Sequence, residues 1–187
     1  INDVEAKAQA FGCVVERMSK GENPEVSDGV RIILPSEHVL EVYHDMTTLG
    51  VEVGTHNPDA WPRHMVGVGA PRLDHALITT DDTKLLEKFF MEVMDFYPQE
   101  RLQTTLDDDH HLIATWLTGG NTVHDIAILD GPQGKIHHFA FEMRGWSDIR
   151  VTATRRSLAA TPRTGIVRAS CGLPTRLARA SSTTPAS

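Results

Sequence analysis

The sequence has few cysteines, few aromatic residues and no long apolar run. Cys13 and Cys171 stand far apart in the 187-residue chain and fit neither a disulfide framework nor a zinc-site spacing. No segment approaches the about 18 consecutive apolar residues that cross a membrane. Residues 1–10 carry charged side chains and lack the apolar segment of a secretory signal. These absences predict a cytoplasmic protein without a membrane partner.

Acidic residues are missing from the last fifth of the chain. All 25 of them lie within residues 1–149, which contain 11 Lys and Arg, whereas residues 150–187 contain seven Arg and no Lys. Nucleic acid attracts basic proteins through its phosphates, so an acidic body predicts no nucleic-acid partner. Residues 150–187 also lack aromatic residues, and their apolar residues do not recur with the sustained period of a strand or a helix. Their composition is typical of either a disordered basic tail or a shifted reading frame in a GC-rich gene.

The first 49 residues are predicted to form one helix and three strands. Residues 4–11 have helical spacing and end at Gly12, which is a suitable C-cap. Three apolar runs are typical of strands, namely "CVVERM", "VRIILP" and "HVLEVY". Residues 50–71 are rich in Gly and Pro and are predicted to be a linker. The chain begins with Ile1 rather than Met, as expected of a fragment or a trimmed start.

A second unit is predicted over residues 72–149 in the order strand, helix, strand, strand, strand. It opens with "RLDHALIT", and the amphipathic helix that follows begins at Asp81 or Asp82. Three further apolar runs indicate strands, namely "HLIATWLT", "TVHDIAIL" and "KIHHFAFEM". The segment "GWSDI" is expected to begin another helix.

Histidines occur in strands that otherwise consist of apolar residues. Side chains alternate between the two faces of a strand, so His138 shares a face with Ala140, and His137 points the other way. Imidazoles of His75 and His138 can reach one metal if their strands are neighbours. Two His and one carboxylate form the site of non-haem Fe(II) oxygenases. The alternative is that each is a hydrogen-bonded structural histidine.

Several of these motifs, in this order, resemble the catechol 2,3-dioxygenases (metapyrocatechases), which are extradiol enzymes of the vicinal oxygen chelate superfamily. The motifs are "RLDHALIT", "VHDIAIL" and "KIHHFAFEMRGWSDI". The resemblance implies an α+β fold of βαβββ modules, incomplete here at both ends. It implies that 1–49 is the end of a non-catalytic first domain, 50–71 the interdomain linker and 72–149 the first module of the catalytic domain. Residues 150–187 lie outside the resemblance.

The resemblance also implies a site and a reaction. Fe(II) would be held by His75, His138 and a Glu, with His124 as an active-site acid/base and oxygen-stabilising residue. Catechol and O₂ would be the partners, and the product would be 2-hydroxymuconic semialdehyde. Intact members are expected to form homo-oligomers.

The expected Glu ligand is missing from the sequence. Residues 149–187 contain no Asp, Glu, His or Tyr, so we expect this chain to be inactive or nearly so. By the same resemblance, Glu41 occupies the position in the first domain that corresponds to the ligand Glu of the catalytic domain, but it has no His partners. Glu142 is four residues from His138, about 13 Å along a strand, and is a poor substitute. A glyoxalase-type enzyme and a non-catalytic ligand-binding module of the same fold are the alternatives.

Overall fold

The architecture was taken from a computed structural model. The structure describes residues 1–47, 70, 72–105, 107, 111–143, 145–158 and 168–170. The predicted linker therefore lies outside the described residues, except for Ala70. No helix in the described ranges is long and apolar enough to span a membrane.

The first 47 residues form a helix and a three-stranded antiparallel sheet in the order β1-β2-β3. The elements are α1 (Asn2–Phe11), β1 (Val14–Met18), β2 (Gly29–Ile33) and β3 (Val39–Tyr43). Gly12 ends α1 with φ of 98°, a left-handed conformation that suits glycine. The predicted helix and all three predicted strands of this part are confirmed.

The remaining elements build a six-stranded mixed sheet with the order β5-β6-β7-β4-β8-β9. They are β4 (Arg72–Thr80), α2 (Thr83–Glu92), β5 (Tyr97–Gln103), β6 (Leu112–Thr118), β7 (Ile126–Asp130), β8 (Lys135–Glu142), α3 (Trp146–Leu158) and β9 (Arg168–Ser170). Strand β4 pairs parallel with β7 and antiparallel with β8. Strand β8 carries His138, and β7 follows His124 in the sequence, so β4 lies between the segments of the other two candidate histidines. The predicted α+β class is confirmed.

Helix α2 covers one face of the six-stranded sheet. It begins after Asp82, whose side chain accepts a hydrogen bond from the backbone N–H of Leu85 at 2.9 Å. Its apolar residues Leu86, Phe89 and Phe90 are buried in the hydrophobic core. The same cluster includes residues of the first sheet, so both sheets contribute to one core.

Two parts of the second unit differ from the sequence prediction. Strand β5 was not predicted, so the order strand, helix and three strands was wrong by one strand. Helix α3 also crosses the predicted boundary after residue 149 and continues to Leu158. Arg and Ala have high helix propensity, which suits this continuation. Strand β9 pairs with β8, and the rest of 150–187 lies outside the described residues.

Candidate functional site

Three histidines from three places in the sequence meet at β4. His138 pairs across the strands with Leu77, and His75 pairs with Ala140, so the two imidazoles are diagonal neighbours on one face. The Nε2 atoms of His75 and His138 lie 3.3 Å apart. The ring of His124 lies against that of His75, with 4.2 Å between ring centroids.

The predicted faces of β8 are confirmed. His138 is buried with 9% of its surface exposed, whereas His137 is exposed. His124, however, was predicted within a strand and lies two residues before β7. The reason is a turn held by Asp125, whose carboxylate accepts hydrogen bonds from the Gly119 N–H and the Thr118 hydroxyl, each at 2.9 Å.

The Nδ1 atom of each paired histidine also has a partner. His75 Nδ1 lies 2.8 Å from the Asp74 carboxylate, and His138 Nδ1 lies 2.8 Å from His137 Nδ1. Histidines that bind metals commonly have their second nitrogen held in this way, because the partner fixes the ring orientation. Sequence reasoning missed both partners. The residues next to the two candidate ligands, Asp74 and His137, were the available signal.

His124 has a different environment from the facing pair. Its Nε2 atom is buried and has no hydrogen-bond partner among the described residues. Burial lowers the pKa of His124 below its ordinary value, and repulsion from His75 lowers it further, outweighing the attraction of Asp74 and Asp125. The ring is therefore neutral at neutral pH and carries a nitrogen that can take part in proton transfer.

Glu142 and Glu41 are both engaged by arginine side chains. Glu142 Oε2 accepts a hydrogen bond from Arg72 Nε at 2.7 Å, which supports the prediction that it is a poor third ligand. In the first sheet, Glu41 accepts hydrogen bonds from Arg31 at 2.8 and 3.0 Å and from Asn23 at 2.6 Å. A guanidinium group therefore holds Glu41.

The facing histidines match part of the donor set of a metal site. Two imidazole nitrogens that face each other across 3.3 Å fit two ligand positions of a site with two His and one carboxylate. Within the described ranges, no three His, Cys, Asp or Glu side chains are grouped so that they could hold a metal ion. The described part of the chain thus supplies the two histidines and not the third ligand.

Known proteins are similar to this chain in sequence. Residues 72–160 match the Glyoxalase/Bleomycin resistance protein/Dioxygenase superfamily. The chain is 34% identical over 153 residues to a metapyrocatechase of Pseudomonas sp. (strain CF600), covering 81% of this chain and 49% of that protein. It is also 24% identical over 155 residues to a manganese-dependent 2,3-dihydroxybiphenyl 1,2-dioxygenase of Geobacillus genomosp. 3. This match covers 79% of this chain and 48% of that protein.

The fold is similar to that of a solved 2,3-dioxygenase. The crystal structure of the 2,3-dioxygenase LapB from Pseudomonas sp. KL28 superposes with a TM-score of 0.72 at 32% identity. The match covers 84% of this chain and 55% of that one. The chain spans about half the length of the curated relatives it matches. The chain is thus similar to the metapyrocatechases, and its residues 72–160 are similar to the Glyoxalase/Bleomycin resistance protein/Dioxygenase superfamily.

Proposed function

We propose that this chain carries part of the active site of an extradiol dioxygenase that opens catechol with O₂ to give 2-hydroxymuconic semialdehyde. The observation that carries the proposal is the facing pair His75 and His138, with the ring of His124 tilted against that of His75. A lone strand histidine has many structural explanations, but three that meet at one point from separate segments are suited to shared chemistry. The similarity to a metapyrocatechase supports the choice of substrate.

His75 and His138 would hold the metal through their Nε2 atoms. Bound Fe(II) would supply neighbouring binding positions for catechol and O₂. We propose Fe(II) because two His and one carboxylate are its usual donors in oxygenases. Manganese is the competing metal, since the name of one relative specifies it. Asp74 orients His75 by accepting a hydrogen bond from its Nδ1 atom at 2.8 Å.

His124 is proposed as the residue that moves a proton. Its buried Nε2 atom has no partner among the described residues, and its lowered pKa keeps the ring neutral. A neutral imidazole can accept a proton from a catechol hydroxyl and return it later in the reaction. Its ring centroid lies 4.2 Å from that of His75, which supports a role beside the proposed metal site.

The third ligand decides whether the 187-residue chain is active. We propose that the chain binds metal weakly and turns over little or no catechol, because no described carboxylate is placed with the histidine pair so that the three could hold a metal ion. Residues 149–187 contain no Asp or Glu that could do so.

Metal retention and ring cleavage together test this proposal. The wild-type chain and a His138→Ala variant are loaded anaerobically with Fe(II) or Mn(II), desalted and analysed for metal. We expect partial retention by the wild type and none by the variant. Catechol and air are then added with and without acetate, which offers the missing carboxylate. We expect the yellow semialdehyde near background without acetate, and an increase with acetate in the wild type alone.

The outcomes separate the two parts of the proposal. Equal metal retention by His138→Ala would contradict the assigned site. Strong colour from the wild type without acetate would contradict only the expected loss of activity. No colour from folded, metal-loaded wild type with acetate would contradict ring cleavage at this site.

The absence of a third ligand among the described residues favours one second candidate, a non-catalytic ligand-binding module of the same fold. Such a module needs no metal to bind its ligand. Catechol binding measured by calorimetry would survive a chelator if the chain is a binding module. It would be lost with the metal if the chain carries the proposed site.

A further inference from the structure

We propose that Glu100 and Trp116 form a subsite for the positively charged substituent of an aromatic ligand, on the face of the six-stranded sheet that carries the histidines. The inference rests on the proposed function, because it names the class of catechol that this face would favour, one with an ammonium group on a side chain. The subsite itself needs no metal. The strand register and the charges on this face carry the inference.

The register of β5 and β6 places the two side chains together. Glu100 pairs directly with Trp116, so the two are cross-strand neighbours on one face. Next to them, the Nε of Arg101 and the hydroxyl of Thr115 both donate to the Glu87 carboxylate of α2, at 2.7 and 2.6 Å. Because side chains alternate along a strand, Glu100 and Trp116 point away from α2.

The same cross-strand row reaches the histidines. Trp116 pairs with Ala127 of β7, which pairs with Leu77 of β4. Leu77 pairs in turn with His138 of β8, and it shares its face with His75, two residues away. Neighbouring strands lie about 4.8 Å apart, so Trp116 is about 10 Å from the strand that carries His75. A catechol with a short alkylammonium side chain is long enough to span that separation.

The charge of Glu100 acts on the histidine end of this face. Burial and repulsion from His75 lower the pKa of His124, and the negative charge of Glu100 acts in the opposite direction. Charge effects fade over about 10 Å in salt solution, so Glu100 is near enough to act on a ligand beside His124. Its neighbour Arg101 is held by Glu87 on the other face, and Glu100 forms no ion pair with another described residue. Its charge is therefore available to a ligand.

An indole ring and a carboxylate are together complementary to an organic ammonium group. The face of the indole ring attracts a cation through its quadrupole, and the carboxylate supplies the opposite charge. Both groups disfavour an anionic substituent. Trp116 is half-buried, which fixes the ring on the sheet, whereas Glu100 is exposed and can meet a ligand. The subsite thus selects the substituent by its charge.

Fluorescence quenching by ions tests the charge beside Trp116 without a metal or a catechol. Caesium is the cationic probe and iodide the anionic probe, and the Trp116 signal is the difference between each protein and its Trp116→Phe counterpart. We expect Glu100→Gln to lower the ratio of caesium to iodide quenching about two- to five-fold, the range for one exposed charge pair. The control is Glu92→Gln, which removes the same charge from α2 on the opposite face and should leave the ratio unchanged.

Aromatic ligands that lack the diol test the preference itself. Phenethylammonium and phenylacetate are titrated into the ¹⁵N-labelled protein, and the indole N–H signal of Trp116 reports binding. We expect the wild type to bind phenethylammonium more tightly, and rising salt to weaken this preference by screening the charge. Glu100→Gln should reduce the ratio of the two dissociation constants about two- to five-fold, and Glu92→Gln should not change it.

Each result bears on a defined claim. Equal binding of the two ligands by the wild type, or binding of neither, would overturn the subsite and leave the proposed function untouched. A preference or a quenching ratio that survives Glu100→Gln would overturn the role of Glu100. Absence of ring cleavage would instead contradict the proposed function and leave a subsite for aryl ammonium ligands. The wild-type titrations decide the preference whether or not any variant folds.

Discussion

At the scale of single residues, Asp125 determines where His124 lies. The turn before β7 brings three donors to one half-buried carboxylate, namely the Gly119 N–H and the hydroxyls of Thr118 and Thr122, at 2.8 to 2.9 Å. Burial raises the pKa of Asp125, but the hydrogen bonds from Gly119, Thr122 and Thr118 outweigh it. The pKa is therefore lowered below its ordinary value.

This lowered pKa predicts a pH-dependent contribution to stability. A carboxyl group whose pKa is lower in the folded state stabilises the fold above its unfolded pKa, and the contribution is lost as pH falls through the folded pKa. We expect Asp125→Ala to lower the free energy of unfolding by about 1–3 kcal/mol at pH 7. The difference from the wild type should shrink on acidification below the unfolded pKa, about 3.9.

Urea unfolding of both proteins over a pH series measures the effect. The control is Asp3→Ala, since Asp3 is exposed and forms an ion pair with Lys7 on the surface of α1. A loss of stability that is constant from pH 7 to pH 3 would show that the charge of Asp125 plays no part.

The candidate site could be predicted in part because alternation is a local property. It placed His138 on the same face of β8 as Ala140 and offered His75 as its possible partner, whereas His124 was assigned to the site through the family resemblance. The contacts to Asp74 and His137 depend instead on side-chain orientation and on two irregularities in the β4–β8 register, at Leu73/His75 and Leu77/Ile78. A β-bulge changes which residues meet across strands, and the sequence pattern of one strand does not reveal it.

At the scale of elements, β5 shows where sequence patterns fail. Its sequence is "YPQERLQ", with mostly exposed side chains and a proline at the second position. Edge strands tolerate proline because one side of their backbone has no partner, and β5 lies at the edge of the six-stranded sheet. The strand forms through pairing with β6, so it lacks the alternating apolar signal that identified the others.

Helix α2 allows a direct test of its N-cap. The sequence left Asp81 and Asp82 as alternatives, and the structure assigns the cap to Asp82. We expect Asp82→Ala to destabilise the protein by about 1 kcal/mol, because the Leu85 N–H loses its acceptor. Asp81→Ala is the matched control, since Asp81 is exposed and lies one residue before the cap. Thermal unfolding of the two variants should therefore differ, and equal midpoints would argue against the cap.

At the scale of the whole molecule, the two sheets share their hydrophobic core. Val30 and Ile32 of the first sheet belong to the same buried cluster as Phe89 of α2 and Ile128 of β7. The rings of Phe11 and Phe89 meet edge to face, with 5.5 Å between centroids. A hydrogen bond of 3.0 Å joins the Gln133 side chain to the Pro35 carbonyl. The sequence predicted two units, but the packing between them depends on contacts far apart in the chain.

A shared core predicts that damage in the first sheet weakens the site in the second. Ile32 is fully buried, and Ile32→Ala should cost about 2–5 kcal/mol by leaving a cavity. Amide hydrogen exchange would then show faster exchange in β6 and β7 as well as in β2. Ile33→Ala is the control, since Ile33 is the next residue of the strand and 41% exposed. Faster exchange confined to β1–β3 would mean that the sheets open independently, and the histidine cluster on β4 and β8 would then not depend on residues 1–47. Faster exchange in both sheets would mean that the geometry of the cluster rests on a core built partly from that segment.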